Sequence, residues 1–260
     1  MDLRLKGRTA LITGGSKGIG LSVAEHFAAE GCNLVLVARG MDSLQQAAAQ
    51  LRQQHAVTVQ VHAGDLSLPE QRAALLAACP SPDILINNAG GIPAGNLDEV
   101  DDARWRAGWD LKVFGYINLT RDYFAMMRAR SRGVIINIIG TMGDRLDPAY
   151  IAGCAGNASL IAFTKALGST SADLGVRVLG VNPGPVESDR LVYLAKLRAK
   201  KRLGDESRWQ EILKNMPLGR PARAEEIAAS VVFLASDRSS YTSGVCVTVD
   251  GGLVARGPMP

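Results

Sequence analysis

Short apolar runs alternate along the chain with longer stretches whose apolar residues recur at helical spacing. Seven runs are rich in β-branched residues and apolar through most of their length, which is typical of strands covered on both faces of a parallel sheet. The stretches 18–30 and 42–54 show the helical spacing between them. The predicted strands are 8–13, 33–38, 57–62, 83–87, 133–138, 176–182 and 245–249.

This alternation of strand and helix predicts an α/β fold. We expect a single domain over residues 1–260, with one doubly wound, Rossmann-type parallel seven-stranded sheet and helices on both faces. Only the segment 189–217 departs from the alternation, because it holds two helical stretches joined near Gly204 with no strand between them. An inserted helical pair ahead of the last strand predicts a lid over the active site.

Composition narrows the class of protein. Of the 260 residues, 47% are hydrophobic and 21% charged, which is ordinary for a soluble globular protein. No apolar run approaches the roughly 20 residues of a membrane span, and the amino terminus lacks a secretory core. The net charge of +4 is modest and its bases are dispersed, so no nucleic-acid partner is expected.

Cysteine and histidine spacing predicts neither disulfides nor a metal site. The three histidines have no metal-ligand spacing, and the four cysteines are widely scattered. Scattered cysteines are typical of free thiols in a reducing compartment, so a cytoplasmic location is expected. These cysteines are Cys32, Cys79, Cys154 and Cys246.

A glycine-rich loop connects the first strand to the first helix. Glycines let the backbone approach a pyrophosphate closely, and the amino end of a helix stabilises its charge. The strand before and the helix after this loop make it a specific dinucleotide signal. We expect the dinucleotide at the amino end of the parallel sheet. The residues predicted to hold it here are Gly14, Ser16, Lys17, Gly18, Ile19 and Gly20.

The end of the second strand indicates which dinucleotide binds. NAD enzymes of this architecture place a carboxylate there, about 20 residues after the glycines, on the ribose hydroxyls. Here the chain reads Val-Ala-Arg-Gly over 37–40, with no acid. Arg39 and Lys17 can both meet a 2′-phosphate through charge-assisted hydrogen bonds. The sequence therefore predicts that NADP(H) is preferred over NAD(H).

Further motifs follow the later strands. Asp65 comes after the third strand, Asn-Asn-Ala-Gly at 87–90 after the fourth, and Pro-Gly-Pro-Val-Glu-Ser at 183–188 after the sixth. Together with Thr-Gly-Gly-Ser-Lys-Gly-Ile-Gly at 13–20, they make the chain resemble the short-chain dehydrogenase/reductase family over essentially its whole length. The segments 217–228 and 243–252 are similar to the closing part of that family.

The resemblance implies a homo-oligomer, a tetramer or a dimer, and assigns further cofactor contacts. Asp65 and Leu66 are expected to bracket the adenine, and Asn157 to hydrogen-bond a ribose hydroxyl. The segment from Asn88 through Ala89 to Gly90 is expected to line the ribose side. The residues expected to hold the nicotinamide are Pro183, Gly184, Val186 and Ser188.

The resemblance also implies a catalytic set of Asn, Ser, Tyr and Lys, whose places are found by counting along the chain. The place of the Asn lies 22 residues after Gly90, and that of the Tyr lies 13 residues after the place of the Ser and 30 before Pro183. None of the four expected residue types is present. The residues at these places are Lys112, Gly140, Gly153 and Asn157.

Three nearby residues are candidates to supply the missing proton chemistry. Tyr150 lies three residues before Gly153, on a helix that we expect Asp147 and Pro148 to begin. Lys112 puts a cation where an amide is expected, and Thr141 offers a hydroxyl beside Gly140. Each of the three has a second interpretation as an ordinary packing or surface residue.

The predicted lid is basic. Residues 190–208 carry seven Lys and Arg against two acids, a net +5. This charge indicates either a solvated helix face or attraction of an acidic substrate.

The leading hypothesis is an NADP(H)-dependent oxidoreductase that acts on a carbonyl, an alcohol or an activated alkene, with a non-standard proton relay. The alternatives are an NADP-binding sensor or scaffold without turnover, and a lyase or hydrolase on the same fold.

Overall fold

A single seven-stranded parallel sheet forms the centre of the computed structural model, which describes residues 1–214 and 216–256. The strand order is β3-β2-β1-β4-β5-β6-β7, and each strand lies within two residues of its predicted bounds. The predicted doubly wound, Rossmann-type α/β fold is therefore confirmed. The strands are β1 (Thr9–Thr13), β2 (Asn33–Ala38), β3 (Val59–Ala63), β4 (Ile84–Asn87), β5 (Gly133–Ile138), β6 (Val176–Pro183) and β7 (Cys246–Val249).

Helices connect the strands and cover both faces of the sheet. A π-helical segment, Asp110–Phe114, joins two of them without a break, and five short 3₁₀ turns lie elsewhere in the described residues. The α-helices are α1 (Gly18–Ala29), α2 (Met41–Gln54), α3 (Pro69–Ala78), α4 (Asp102–Trp109), α5 (Gly115–Ala129), α6 (Ile151–Ser171), α7 (Asp189–Leu203), α8 (Trp209–Leu213) and α9 (Ala224–Ala235).

Each face of the sheet has its own apolar core, because successive side chains of a strand point to opposite faces. Ile12 and Ile136 belong to the core beneath α1, α2 and α9. Their neighbours Leu11 and Ile135 belong to the core beneath α3 and α5. This explains why the strands are apolar throughout rather than alternating.

The segment 189–217 holds two helices with no strand between them. Its first helix, α7, begins after Ser188, whose hydroxyl accepts a hydrogen bond from the Leu191 amide at 3.2 Å. It ends at Gly204, which has a left-handed φ of 75° that favours glycine. The second helix is α8. Residue 215 of this segment, and residues 257–260 of the predicted domain, lie outside the described residues.

Arg177 ties the carboxyl end of α9 to the sheet. Its Nη1 donates to the carbonyl oxygen of Leu234 at 2.7 Å, and its Nη2 donates to those of Ala235 and Ser236 at 3.1 Å each. Burial lowers the pKa of this guanidinium to about 10. The last carbonyls of a helix have no partner within it, so Arg177 supplies the hydrogen bonds that α9 lacks.

We expect Arg177→Met to lower the free energy of unfolding by about 3 kcal/mol, because it leaves several buried carbonyl groups without a donor. Urea denaturation followed by circular dichroism measures this. Arg132→Met is the control, since Arg132 is exposed at the same end of the sheet, and a change below about 0.5 kcal/mol is expected there. Equal destabilisation by the two substitutions would contradict this role of Arg177.

Candidate active site

The candidate site lies at the carboxyl end of the sheet. The strand order reverses between β1 and β4, and such a reversal leaves a crevice beyond the carboxyl ends of the strands. The glycine loop follows Thr13 at the end of β1, and residues 88–90 follow the end of β4. The expectation of a site at the amino end of the sheet was wrong. The loop that leads into α1 follows Thr13, which is the carboxyl end of β1.

The glycine loop is shaped by the lack of side chains. Gly14 and Gly18 have φ values of 67° and 56°, a region that favours glycine. The amides of Gly14 and Gly15 donate to the Val37 carbonyl at 2.7 and 3.3 Å. A Cβ on Gly20 would overlap the carbonyl oxygen of Gly14. The first turn of α1 therefore packs directly on the loop, as close helix–strand packing requires.

Thr13 holds the two sides of the crevice together. Its Oγ1 accepts hydrogen bonds from the amides of Asn88 and Ala89, both at 2.9 Å. The Asn88 side chain donates to the carbonyls of Thr13 at 2.9 Å and Gly14 at 3.3 Å. The side chain of Asn88 thus supports the loop. Sequence reasoning missed the role of Thr13, although a hydroxyl residue directly before the glycines is a visible signal.

The ends of β2 and β3 lie side by side. Arg39 and Lys17 are both exposed. The amide and hydroxyl of Ser67 donate to Asp65 Oδ1 at 3.0 and 2.7 Å and, with a smaller contribution from the charge of Arg39, lower the pKa of this carboxyl. The side chain of Leu66 is buried in the core beneath α3 and α5.

The segment 183–188 connects β6 to α7. A Cβ on Gly184 would lie 2.8 Å from the Cβ of Asp250, so this glycine permits close packing on the chain after β7. Val186 forms an isolated parallel bridge with Ala222. The Ser188 hydroxyl caps α7 and also donates to the Val186 carbonyl at 3.1 Å.

Lys112 lies in the π-helical segment between α4 and α5, an irregularity often found at functional sites. Its Nζ donates to the Ile139 carbonyl at 2.6 Å. Its side chain crosses Gly90, whose Cβ would lie 2.9 Å from three of its carbons. Burial and, to a smaller extent, the charge of Arg190 lower the pKa of Lys112 to about 8.

Tyr150 does not lie inside the helix that carries Gly153. The predicted start at Asp147 and Pro148 was wrong, because α6 begins at Ile151 and Tyr150 is its N-cap residue, with φ −140° and ψ 39°. The ring nevertheless covers Gly153, since a Cβ there would overlap two ring carbons. Burial raises the pKa of the Tyr150 hydroxyl, and the Arg190 guanidinium opposes this shift through its charge and a hydrogen bond.

Thr141 and Asn157 lie on either side of Gly140. Thr141 is 3% exposed and begins a 3₁₀ turn. Asn157 is also 3% exposed, and its Nδ2 lies 3.1 Å from where a Cβ on Gly140 would be. Its Oδ1 is buried and has no hydrogen-bond partner in the part of the chain that the structure describes. A ligand hydroxyl is the kind of group that would satisfy this acceptor.

Three basic side chains of the segment 190–208 are paired with carboxylates. Arg198 pairs with Asp147 at 2.8 Å and Lys201 with Glu99 at 3.0 Å, and both of these pairs hold α7 against the body of the domain. The third pair, at 2.7 Å, is Arg208 with Glu211. The sequence suggested a solvated helix face or the attraction of an acidic substrate, and it did not predict these ion pairs.

Arg190 was missed as a site residue. It reaches from α7 to the Ile92 carbonyl at 2.7 Å and lines a cavity with Tyr193 and Leu197. In the sequence it stands only as one of seven bases, and nothing there distinguishes it from the others.

Two features are absent from the residues that the structure describes. No helix among them combines the length and apolar character needed to cross a bilayer. Within residues 1–214 and 216–256, no three histidine, cysteine or acidic side chains are grouped so as to hold a metal ion. The four cysteines are free thiols.

A comparison with known protein families matches most of the chain. The family model described as enoyl-(acyl carrier protein) reductase matches residues 14–254. The chain belongs to the short-chain dehydrogenase/reductase family.

Similar proteins of this family are oxidoreductases. The 3-oxoacyl-[acyl-carrier-protein] reductase FabG of Chlamydia trachomatis is 34% identical over 96% of this chain and 98% of its own length. The galactitol 2-dehydrogenase of Cereibacter sphaeroides is 33% identical over 96% of each chain. The structure of L-sorbose reductase from Gluconobacter frateurii, complexed with NADPH and L-sorbose, superposes with a TM-score of 0.89 at 34% identity, over 99% of this chain and 100% of that one.

This short-chain dehydrogenase/reductase is therefore an NAD(P)-dependent oxidoreductase by family, and its crevice fits the nucleotide. Gly14 and Gly20 leave no room for side chains, the amino end of α1 faces the loop, and Asn157 offers a buried acceptor without a partner among the described residues. Each of these features suits one part of a dinucleotide: the pyrophosphate needs close backbone and a helix dipole, and a ribose hydroxyl needs an acceptor.

We expect Gly20→Ala to weaken NADPH binding by about 10- to 100-fold, because the new Cβ forces the phosphate loop away from α1. Titration of NADPH fluorescence measures this. Gly115→Ala is the control, since its Cβ would meet ordinary contacts at 3.4 and 3.7 Å. Unchanged affinity in Gly20→Ala would show that the loop does not bind phosphate.

Proposed function

We propose that this protein is an NADP(H)-dependent oxidoreductase acting on a small carbonyl compound, alcohol or activated alkene. The observation that carries the proposal is the phosphate loop at the switch point together with two exposed bases, Lys17 and Arg39, and no acid at the end of β2. NADPH in the similar L-sorbose reductase supports the same cofactor. The similar reductases and dehydrogenases do not favour a sensor, a lyase or a hydrolase.

The proposed cofactor contacts follow the crevice. The glycine loop takes the pyrophosphate, the two bases take the 2′-phosphate, and Asp65 with the main chain of Leu66 takes the adenine. Asn157 takes a ribose hydroxyl through its unpartnered oxygen. The proposed set is Gly14, Ser16, Lys17, Gly18, Ile19, Gly20, Arg39, Asp65, Leu66, Asn88, Ala89, Gly90, Asn157, Pro183, Gly184, Val186 and Ser188.

We propose further that the proton relay is non-standard. In this proposal Lys112, Gly140, Gly153 and Asn157 hold the places of the Asn, Ser, Tyr and Lys of the family. The ring of Tyr150 supports it, because that ring covers Gly153 and brings a phenol back to the position that the glycine leaves empty.

The nicotinamide, when bound, supplies or accepts the hydride. The chain has to place the substrate and handle the proton at its oxygen. Lys112 holds an ammonium beside Ile139, Tyr150 a phenol over Gly153, and Thr141 a hydroxyl beside Gly140. In reduction, one of the first two donates the proton to the developing alkoxide, and Thr141 hydrogen-bonds the substrate oxygen. Such a positioned donor is worth about 10²- to 10⁴-fold in rate.

The pair α7 and α8 acts as a lid over the crevice, and its basic character fits a negatively charged substrate. The protein works in the cytoplasm as a homo-oligomer, a tetramer or a dimer. Exposed apolar side chains at Phe233 on α9 and at Val245 beside β7 support assembly through this edge.

We expect NADPH to bind at least about tenfold more tightly than NADH, because each charge-assisted contact to the 2′-phosphate is worth roughly 1.5–3 kcal/mol. Fluorescence titration of both cofactors measures the ratio. Arg39→Gln should reduce it by about tenfold, whereas Arg106→Gln, on the exposed face of α4, should leave it unchanged. Equal affinities of the unmodified protein for the two cofactors would refute the preference.

The pH dependence of kcat/KM distinguishes Lys112 from Tyr150 as the proton donor. Lys112 is charged below its pKa of about 8, so a Lys112 donor predicts that kcat/KM for reduction falls as the pH rises through this value. Burial raises the pKa of Tyr150, so a Tyr150 donor predicts a flat profile over the same range.

We expect the fall near pH 8 with a ketone and enone panel, and we expect Lys112→Gln to abolish it. Tyr150→Phe is the matched variant and should keep the fall. A profile that is flat to pH 10, with activity lost only in Tyr150→Phe, would assign the proton to the phenol. Tight NADPH binding without turnover of any substrate would refute the oxidoreductase.

A further inference from the structure

Three glycines around the crevice are covered by polar side chains from elsewhere in the chain. The side chain of Lys112 covers Gly90 at 2.9 Å from its Cβ position, and Nη1 of Arg190 lies 3.2 Å from that of the next residue, Gly91. The ring of Tyr150 covers Gly153. The side chains of two cationic residues therefore cover consecutive glycines, and a phenol ring covers the third. This arrangement depends on those glycines, because a Cβ at any of the three would collide with or crowd the covering group.

Neither of these two cations is neutralised in the described residues. Salt bridges there join Arg198, Lys201 and Arg208 to carboxylates, but no carboxylate lies within 4.0 Å of Arg190 or Lys112. Both instead donate to backbone carbonyls, Arg190 to Ile92 at 2.7 Å and Lys112 to Ile139 at 2.6 Å. The charge of Arg190 contributes to the lowered pKa of Lys112, so the two positive charges repel each other and the site favours an added anion.

The cavity beside Arg190 indicates what kind of molecule would bear such an anionic group. It has a volume of about 110 Å³ and opens between α7 and the loop after β4. Its wall is mostly apolar, and a second arginine, Arg104, also lines it. A small apolar wall with guanidinium groups fits a short carbon chain that ends in a carboxylate. The wall includes Ile92, Pro93, Tyr193, Leu194 and Leu197.

We propose that the substrate is a short-chain oxo acid, or the corresponding hydroxy acid, whose carboxylate is bound by Arg190. Arg190 is then the residue that determines specificity, and it acts from the lid helix α7. The charge of Arg190 and a hydrogen bond from it also oppose the rise in the pKa of the Tyr150 hydroxyl, so we place the carboxylate close to the reacting carbon, as in 2-oxo and 3-oxo acids. This inference rests on the proposed oxidoreductase function and adds the substrate class.

The experiment compares each acid with its neutral methyl ester, so that the carbon chain stays the same. The probes are 3-oxobutanoate and 2-oxobutanoate with their methyl esters, reduced by NADPH. We expect the unmodified enzyme to prefer the acid by at least about tenfold in kcat/KM, and Arg190→Met to lower this acid-to-ester ratio by about 10- to 100-fold. The ratio is the readout because a general loss of activity cancels in it.

Lys196→Met is the matched control. It removes the same charge from the same helix, but Lys196 is exposed and does not line the cavity. We expect its acid-to-ester ratio to change less than about twofold, since screened surface charges contribute little. A similar fall in both variants would attribute the preference to the general charge of α7 and overturn the assignment to Arg190.

A binding measurement keeps the inference separate from turnover. Calorimetric titration of 3-hydroxybutanoate into the protein loaded with NADP⁺ should show binding that weakens at least about tenfold in Arg190→Met. Such binding without reduction of any probe would refute the oxidoreductase while supporting the carboxylate site. Reduction of the esters in preference to the acids, or a ratio that Arg190→Met leaves within twofold, would refute the carboxylate site while leaving the oxidoreductase standing.

Discussion

The crevice depends on one small set of hydrogen bonds between the ends of β1 and β4. The Thr13 hydroxyl accepts from two amides of the β4 side, and the Asn88 amide group returns two hydrogen bonds to the β1 side. These bonds fix the glycine loop relative to the chain that follows β4 at the point where the strand order reverses. The glycine loop opens α1, and the chain after Asn88 carries Gly90 and Gly91, which the side chains of Lys112 and Arg190 cover.

In the candidate active site, glycines leave space that side chains from other parts of the chain fill. Gly90, Gly91 and Gly153 carry no side chains, and Lys112, Arg190 and Tyr150 cover the surface that they leave open. The covering groups come from three separate parts of the chain: a π-helical turn, α7 and the N-cap of α6. Such an arrangement keeps a cation and a phenol beside the crevice, although the glycines of the loop after β4 and of α6 carry no functional side chain.

Burial then gives these groups their chemical character. The Lys112 side chain is partly buried, and burial with a smaller effect of the Arg190 charge lowers its pKa to about 8, while burial raises the pKa of Tyr150. Desolvation disfavours the charged form of each group, which makes the lysine a better proton donor and the phenol a weaker one. The neighbouring bases Arg198 and Lys201 serve a different purpose, since they hold α7 to the body through ion pairs.

The sequence by itself determined the fold and the position of the glycine loop between β1 and α1, although the end of the sheet expected for the site was wrong. Strand runs, the glycine loop and the motifs after each strand are local signals: they reflect backbone geometry and burial within a few neighbouring residues, and the strand bounds agree with the structure within two residues. The tertiary structure alone decided where α6 begins, that the Tyr150 ring lies over Gly153, and that Arg190 differs from the other bases of α7. These outcomes depend on packing between segments far apart in the chain, and periodicity along a sequence carries no information about which distant side chain fills an empty position.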